Sequence, residues 1–274
     1  MNPNSYYQTQ LNGKPATATD LSSLAFAGFA HFTAMQVRNR RVRGIELHLE
    51  RLRQASMRYF GRAMPDDQVR AYLDLVINSG PENQSLVATM FSDSGEFTAS
   101  ETEAYPGLLV RNGPPSDGPE GPLRMMTVNH ERPLPDVKDA GESAKTLYLR
   151  EAVAKGYDDA AFVDRHGRIG EATIWNLAFW DGTSVIWPDA AVLPGITMGI
   201  LKRQLARMGV PQRTQLITSG EIATFKGGAV MNSWTPGVAI LAMDGIELPL
   251  CDTFTTLLHE AYQNEPLLTV FGLE

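Results

Sequence analysis

Between Arg111 and Pro122 the chain reads RNGPPSDGPEGP, and seven of these twelve residues are glycine or proline. Proline lacks a backbone N–H and fixes φ, and glycine loses the most entropy on ordering. Such a run continues neither a helix nor a central strand. It imposes a division on a chain of 274 residues, a length that suits one large domain or two modest ones. The expected organisation is a small N-terminal α/β domain over 1–112, a linker over 113–122, and a larger C-terminal α/β domain over 123–274.

The hydrophobic pattern on each side supports mixed α/β structure. FAHFTAMQVRN alternates as a strand, and VRGIEL reads as the return arm of a hairpin. HLERLRQASMRYF places Leu49, Leu52, Ala55 and Tyr59 at helical spacing, and MPDDQVRAYLDLVINSG is a second helix stopped by Gly80 and Pro81. SLVATMFS and GLLVRN read as strands. Beyond the Gly/Pro run, LRMMTVNH, DAAFVD, NLAFWDGTSVIWP and GVAILAMDG are strand-like. GESAKTLYLREAVAKG reads as a helix closed by a left-handed cap at Gly156. TMGILKRQLARMG carries Met198, Leu201, Leu205 and Met208 in one stripe, and FTTLLHEAYQN is a last helix.

Charge and composition exclude several functions. The net charge is -7 with a pI near 5.3, so no overall basic field draws nucleic acid or an anionic membrane. The basic run RNRRVR over 38–43 reads as a solvated hairpin, with a local anion site as the alternative. Cys251 is the only cysteine, which fits a reducing compartment, and MNPNSYYQTQLNGKPA lacks the apolar core of a signal peptide. No apolar run reaches membrane-spanning length, so the expectation is a cytoplasmic protein. The dinucleotide fingerprint, Walker loop, HExxH and nucleophile elbow are absent, and the five histidines lack metal-ligand spacing.

What remains is a set of local features. LPGITM, from Leu193 to Met198, runs a Pro-Gly turn into an amphipathic helix. Free N–H groups at a helix start, beside a threonine, suit a phosphate, although Thr197 also reads as an ordinary N-cap. Asn232-Ser233-Trp234 offers a second hydroxyl and more N–H groups before a strand, and GEATIWN places Glu171 and Asn176 after a glycine turn. In order and spacing, HLERL, the lysine region with GYDDA, EATIWNLAF and LPGIT resemble the class IV (fold type IV) pyridoxal-phosphate enzymes. That family includes branched-chain and D-amino-acid aminotransferases and aminodeoxychorismate lyase. The resemblance runs from about Phe29 to the C-terminus.

The resemblance implies pyridoxal 5′-phosphate as cofactor and one lysine bonded to its aldehyde. Lys138, Lys145 and Lys155 are the candidates. In the family that lysine stands ahead of the helix, and Lys138 matches its distance from Gly156. Extended LPDV and the small Ala140 and Gly141 leave room around Lys138. Glu142 and Lys145 look like an exposed helix pair, and Lys155 suits a helix C-terminus. By the same resemblance Glu171 faces the pyridine nitrogen, with Asn176 nearby. Arg51, Ile196, Thr197 and Ser233 hold the phosphate. Met35, Gln36, Arg38 and Trp234 lie toward the substrate.

Several positions depart from the family pattern. Ala172 stands where glycine is usual, Trp175 and Trp234 are bulky, and the partner expected after the lysine is replaced by Glu142 or Ser143. The implied function is an aminotransferase acting on an amino acid or small amine and a 2-oxo acid, as a homodimer, with the cofactor between the domains. The alternatives are a lyase of the same fold or a non-catalytic binding protein that keeps it.

Overall fold

The computed structural model describes residues 6–26, 28–92 and 106–271, so residues 1–5 of the N-terminal stretch lie outside it. The described residues fall into two compact units. The first draws on the ranges 1–116, 137–141 and 266–274, and the second on 117–136 and 142–265. Two segments therefore group differently from the sequence division: the turn carrying Lys138 and the end of the chain both join the first unit.

In the first unit, β1 (Thr9–Leu11), β2 (Lys14–Pro15) and α1 (Ser22–Phe26) precede the long strand β3 (Ala30–Arg38). A tight hairpin leads to β4 (Arg41–Arg43), with Arg38 opposite Arg41. Asn39 and Arg40 between them both take positive φ, the conformation a two-residue hairpin turn requires. The expected return arm stops early. Gly44 turns left-handed at φ 63, and Ile45 already opens α2 (Ile45–Phe60). α3 (Asp66–Ser79), β5 (Gln84–Phe91) and β6 (Gly107–Gly113) follow. β6 runs through Gly113, paired with Ser85, so the Gly/Pro run begins its irregular course only at Pro114. Late in the chain β16 (Leu267–Leu268) pairs with β4. Among the described residues the sheet order is β16-β4-β3-β5-β6-β1-β2. Leu49 and Leu52 of α2 and Leu73 and Val76 of α3 bury against Met35, Leu86 and Val110 of the sheet. Met35 is thus a core residue, at 1% exposure, and not a lining for substrate.

The second unit holds β7 (Leu123–Asn129), α4 (Ser143–Ala154), β8 (Asp159–Val163), β9 (Ile169–Ala172), β10 (Asn176–Trp180) and β11 (Val185–Pro188). Then come α5 (Ile196–Arg207), β12 (Gln212–Gln215), a 3₁₀ turn at Ser219–Thr224, β13 (Gly227–Met231), β14 (Val238–Met243), β15 (Ile246–Glu247) and α6 (Asp252–Gln263). The pairings β10-β13-β14-β7-β8-β9 return to β10, so six strands form a closed circuit, which removes their free edges. Inside it lie Met125, Ile169, Leu177, Val230 and Ile240. Met198, Leu201 and Leu205 of α5 bury against Phe254 and Leu258 of α6. Met208 leaves the predicted stripe, because it caps the helix and is half exposed. Gly156, at φ 84, ends α4 as the sequence indicates.

Candidate functional site

β9 and β10 meet at a single pair, Glu171 opposite Asn176, and the turn between them is held by Asp159. One Asp159 oxygen accepts from Thr173 Oγ1 at 2.6 Å and the other from Trp175 Nε1 at 2.8 Å. Trp175 is therefore a core residue on a buried carboxylate. Its ring meets Trp234 edge-on, with centroids 5.9 Å apart.

Glu171 is 4% exposed. Arg132 Nε donates to its Oε1, and the Leu193 N–H donates to its Oε2 at 3.4 Å. Burial pushes the Glu171 carboxyl above the ordinary range, while the charges of Arg132 and Lys145 pull the other way. Arg132 Nη1 also reaches Glu142 Oε1 at 2.9 Å, and Glu142 pairs with Lys145. The two acids and two bases alternate as Glu171, Arg132, Glu142, Lys145, and no side chain among them is more than 13% exposed. The pair Glu142–Lys145 is thus largely buried, contrary to the exposed pair expected from the sequence. Burial lowers the Lys145 amine, as does Arg132, while Glu142 and Glu171 support its charge.

From Glu171 the contacts lead to α5. Asn176 Nδ2 donates to Leu193 O at 2.8 Å, which ties the Leu193-Pro194-Gly195 turn to β10. Gly195 is the N-cap and offers no side-chain acceptor, so the Ile196 and Thr197 amides open the first turn. Thr197 lies inside the helix rather than at the cap. Its hydroxyl donates to Asn232 O at 2.7 Å. Asn232 Oδ1 accepts the Trp234 N–H at 2.8 Å, so Ser233 sits in a turn stapled to the start of α5. The two segments read separately as anion sites are joined. A Cβ on Gly195 would stand 1.8 Å from Asn176 Oδ1, so only glycine fits beside that amide.

The remaining predicted residues belong to the first unit. Lys138 accepts the Phe32 N–H on its carbonyl at 3.0 Å, and its Nζ lies 4.9 Å from the Phe32 ring centroid. The bridge between His31 and Asp139 continues this pairing, and Asp139 accepts from Tyr59 Oη and from the Gly141 N–H. Arg51 is half-buried on α2, next to His48. Gln36 Oε1 accepts from Arg38 Nη1 at 3.0 Å and from the Ser116 N–H at 2.9 Å, while Arg38 Nη2 donates to Ser116 O at 3.1 Å. Those two side chains clasp the chain after β6, a structural use the sequence did not suggest.

The family model for amino-transferase class IV matches residues 30–243, more than three quarters of the chain. The chain belongs to the class IV aminotransferase family. Its fold matches those of solved members. Against a branched-chain amino acid aminotransferase from Escherichia coli the TM-score is 0.82 at 18% identity, over 95% of this chain and 94% of that one. A branched-chain amino acid aminotransferase from Thermobaculum terrenum, solved with pyridoxal phosphate bound, gives 0.80 at 19% identity, with coverage of 96% and 94%. A Legionella pneumophila protein assigned as a 4-amino-4-deoxychorismate lyase gives 0.77 at 21% identity, with coverage of 92% and 96%. None of the curated protein sequences matches.

For this class IV chain, sequence reading missed Arg132 and Asp159 and placed Glu142 on an exposed helix face. Arg132 follows a strand end and precedes a proline, which resembles a surface position. Only strand pairing brings it to Glu171, 39 residues away. The signal available was the acidic Asp158-Asp159 pair at a strand start, where an apolar residue is normal.

Proposed function

We propose that the chain is a pyridoxal-phosphate-dependent aminotransferase acting on an amino acid or small amine and a 2-oxo acid. The carrying observation is the continuous set of contacts from buried Glu171 through Leu193 and Asn176 to the open N-terminus of α5. Pyridoxal phosphate carries a basic ring nitrogen at one end and a phosphate at the other. A buried carboxylate and a helix start with a linked hydroxyl turn are the two groups it needs. The residues fit. Glu171 uses one lone pair on Arg132 and a long contact on Leu193, and an ionised carboxylate has capacity to accept a further N–H.

In this reading the Ile196 and Thr197 amides and the Ser233 turn bind phosphate, with Arg51 as the guanidinium partner. Glu171 would hold the proton on the ring nitrogen, and Arg132 fixes the carboxylate's orientation. When bound, the cofactor supplies an electron sink for the negative charge that develops at the substrate's Cα. Lys138 would be the residue that anchors the cofactor through its aldehyde. When free of the cofactor, the same amine would act as the general base that takes up and holds the proton at the substrate's Cα. Assembly as a homodimer completes the proposal and is checked by light scattering.

The test is borohydride reduction of the purified protein with pyridoxal 5′-phosphate, followed by peptide mapping. A label on Lys138 supports the assignment. A label on Lys145 alone moves the anchor to the helix, and no lysine label removes the enzyme reading. The lyase relative supports a second reading of the same site. An amino-donor panel separates the two: an aminotransferase converts the cofactor spectrum to that of pyridoxamine phosphate, and a lyase does not.

A further inference from the structure

Lys145 stands out as a reactive group that the proposed mechanism leaves unused. It is largely buried, sits in the same unit as Glu171, and shares one carboxylate with Arg132. A second amine near a carbonyl-bearing cofactor is a competitor for it. We propose that Glu142 is a positioning residue that locks Lys145 against Arg132, so that Lys138, and not Lys145, is the amine that reacts with a carbonyl. The inference rests on the function proposed above.

The geometry makes Glu142 the node of the cluster. Its carboxylate meets Arg132 Nη1 at 2.7–2.9 Å and takes the Lys145 ammonium on the same side chain. Glu142 and Lys145 are three apart across the first turn of α4, so the helix fixes their approach. Removing the carboxylate leaves two cations facing the single charge of Glu171. Arg132 keeps its proton, since a guanidinium does not deprotonate in proteins. Lys145 is the group that yields. The charged and titratable groups around it are Glu142, Arg132, Glu171 and, at longer range, His130. With Glu142 gone, burial and Arg132 act on the amine with Glu171 alone in opposition, and its neutral, nucleophilic fraction rises.

The experiment compares lysine labelling by pyridoxal 5′-phosphate and borohydride in the wild type, Glu142→Gln and Glu142→Asp, read by peptide mapping at one pH near 8. The wild type should label Lys138 with Lys145 nearly silent. Glu142→Gln should raise the Lys145 signal about tenfold, the change one pKa unit makes in neutral amine. Glu142→Asp keeps the charge on a shorter arm and should fall between. If Glu142→Gln does not fold, Glu142→Asp decides alone. A Lys145 signal unchanged from the wild type overturns the proposal even where Lys138 labels normally. A wild type that labels Lys145 in place of Lys138 overturns both this proposal and the assignment of the anchor. Acetic anhydride labelling without cofactor gives an independent readout, and Lys145 should be the lysine whose reactivity rises most in Glu142→Gln.

Discussion

Replacing Gly195 with alanine tests the link between β10 and the start of α5. The new Cβ would stand 1.8 Å from Asn176 Oδ1 and 3.0 Å from its Cγ. Ordinary contact between such atoms is about 3.5 Å. The backbone has no objection, since Gly195 sits at φ -60, ψ 140, where any residue is comfortable. The whole cost is therefore steric. Asn176 must swing away, breaking its 2.8 Å bond to Leu193 O and leaving buried polar atoms without partners. The lost bond costs about 1–3 kcal/mol. Overpacking adds about 1–3 kcal/mol. The sum of about 2–6 kcal/mol lowers the melting temperature by at least about 4 °C, at roughly 2–4 °C per kcal/mol. Thermal unfolding of the cofactor-free protein measures this. The decisive comparison repeats Gly195→Ala in an Asn176→Ala background, where the clashing atoms are gone and the substitution should cost less than about 1 kcal/mol. Equal costs in the two backgrounds would refute the steric argument.

Three further outcomes follow from the same structure. His31 and His48 are buried and pushed down to about 3, so both stay neutral in the fold while the unfolded chain takes up protons below pH 6.5. Stability from each is complete above pH 6.5 and declines toward pH 3. At pH 5 the loss is about 2 kcal/mol per histidine, and His31→Gln should flatten the acid limb of a pH series of unfolding curves. Arg132→Met leaves Glu171 buried without its cation and should destabilise by about 3–5 kcal/mol in denaturant titration; a loss under about 1 kcal/mol would show that Glu171 is neutral in the fold. Lys138→Ala should reduce amino-group exchange by about 10²–10⁴ while leaving the melting temperature of the cofactor-free protein near the wild-type value.

Local pattern made much of this protein legible. α2, α3, α5 and α6 follow from apolar residues three and four apart, because a helix repeats its contacts within one short stretch of chain. Gly156 signalled the end of α4 for the same reason: a left-handed cap depends only on its own φ. The pairing of β3 with β4 followed from residues close in sequence, yet even there the strand ended sooner than its alternation suggested, since Gly44 switches the backbone directly into α2.

The site divided along the same line. In the candidate site, Glu171, Asn176, Thr197 and Ser233 were singled out by their order along the chain, and tertiary structure joined their segments through Leu193 and Asn232. The alternating cluster was invisible, because Arg132 meets Glu171 only after β7, β8 and β9 pair, and Glu142 then becomes the carboxylate that Arg132 and Lys145 share. Sequence alone determined the helices, the turn residues and the family, all of which rest on local spacing. Tertiary structure decided which charges are buried together and that the Lys138 turn pairs with β3, because the partners in those contacts lie tens of residues apart and strand pairing alone selects them.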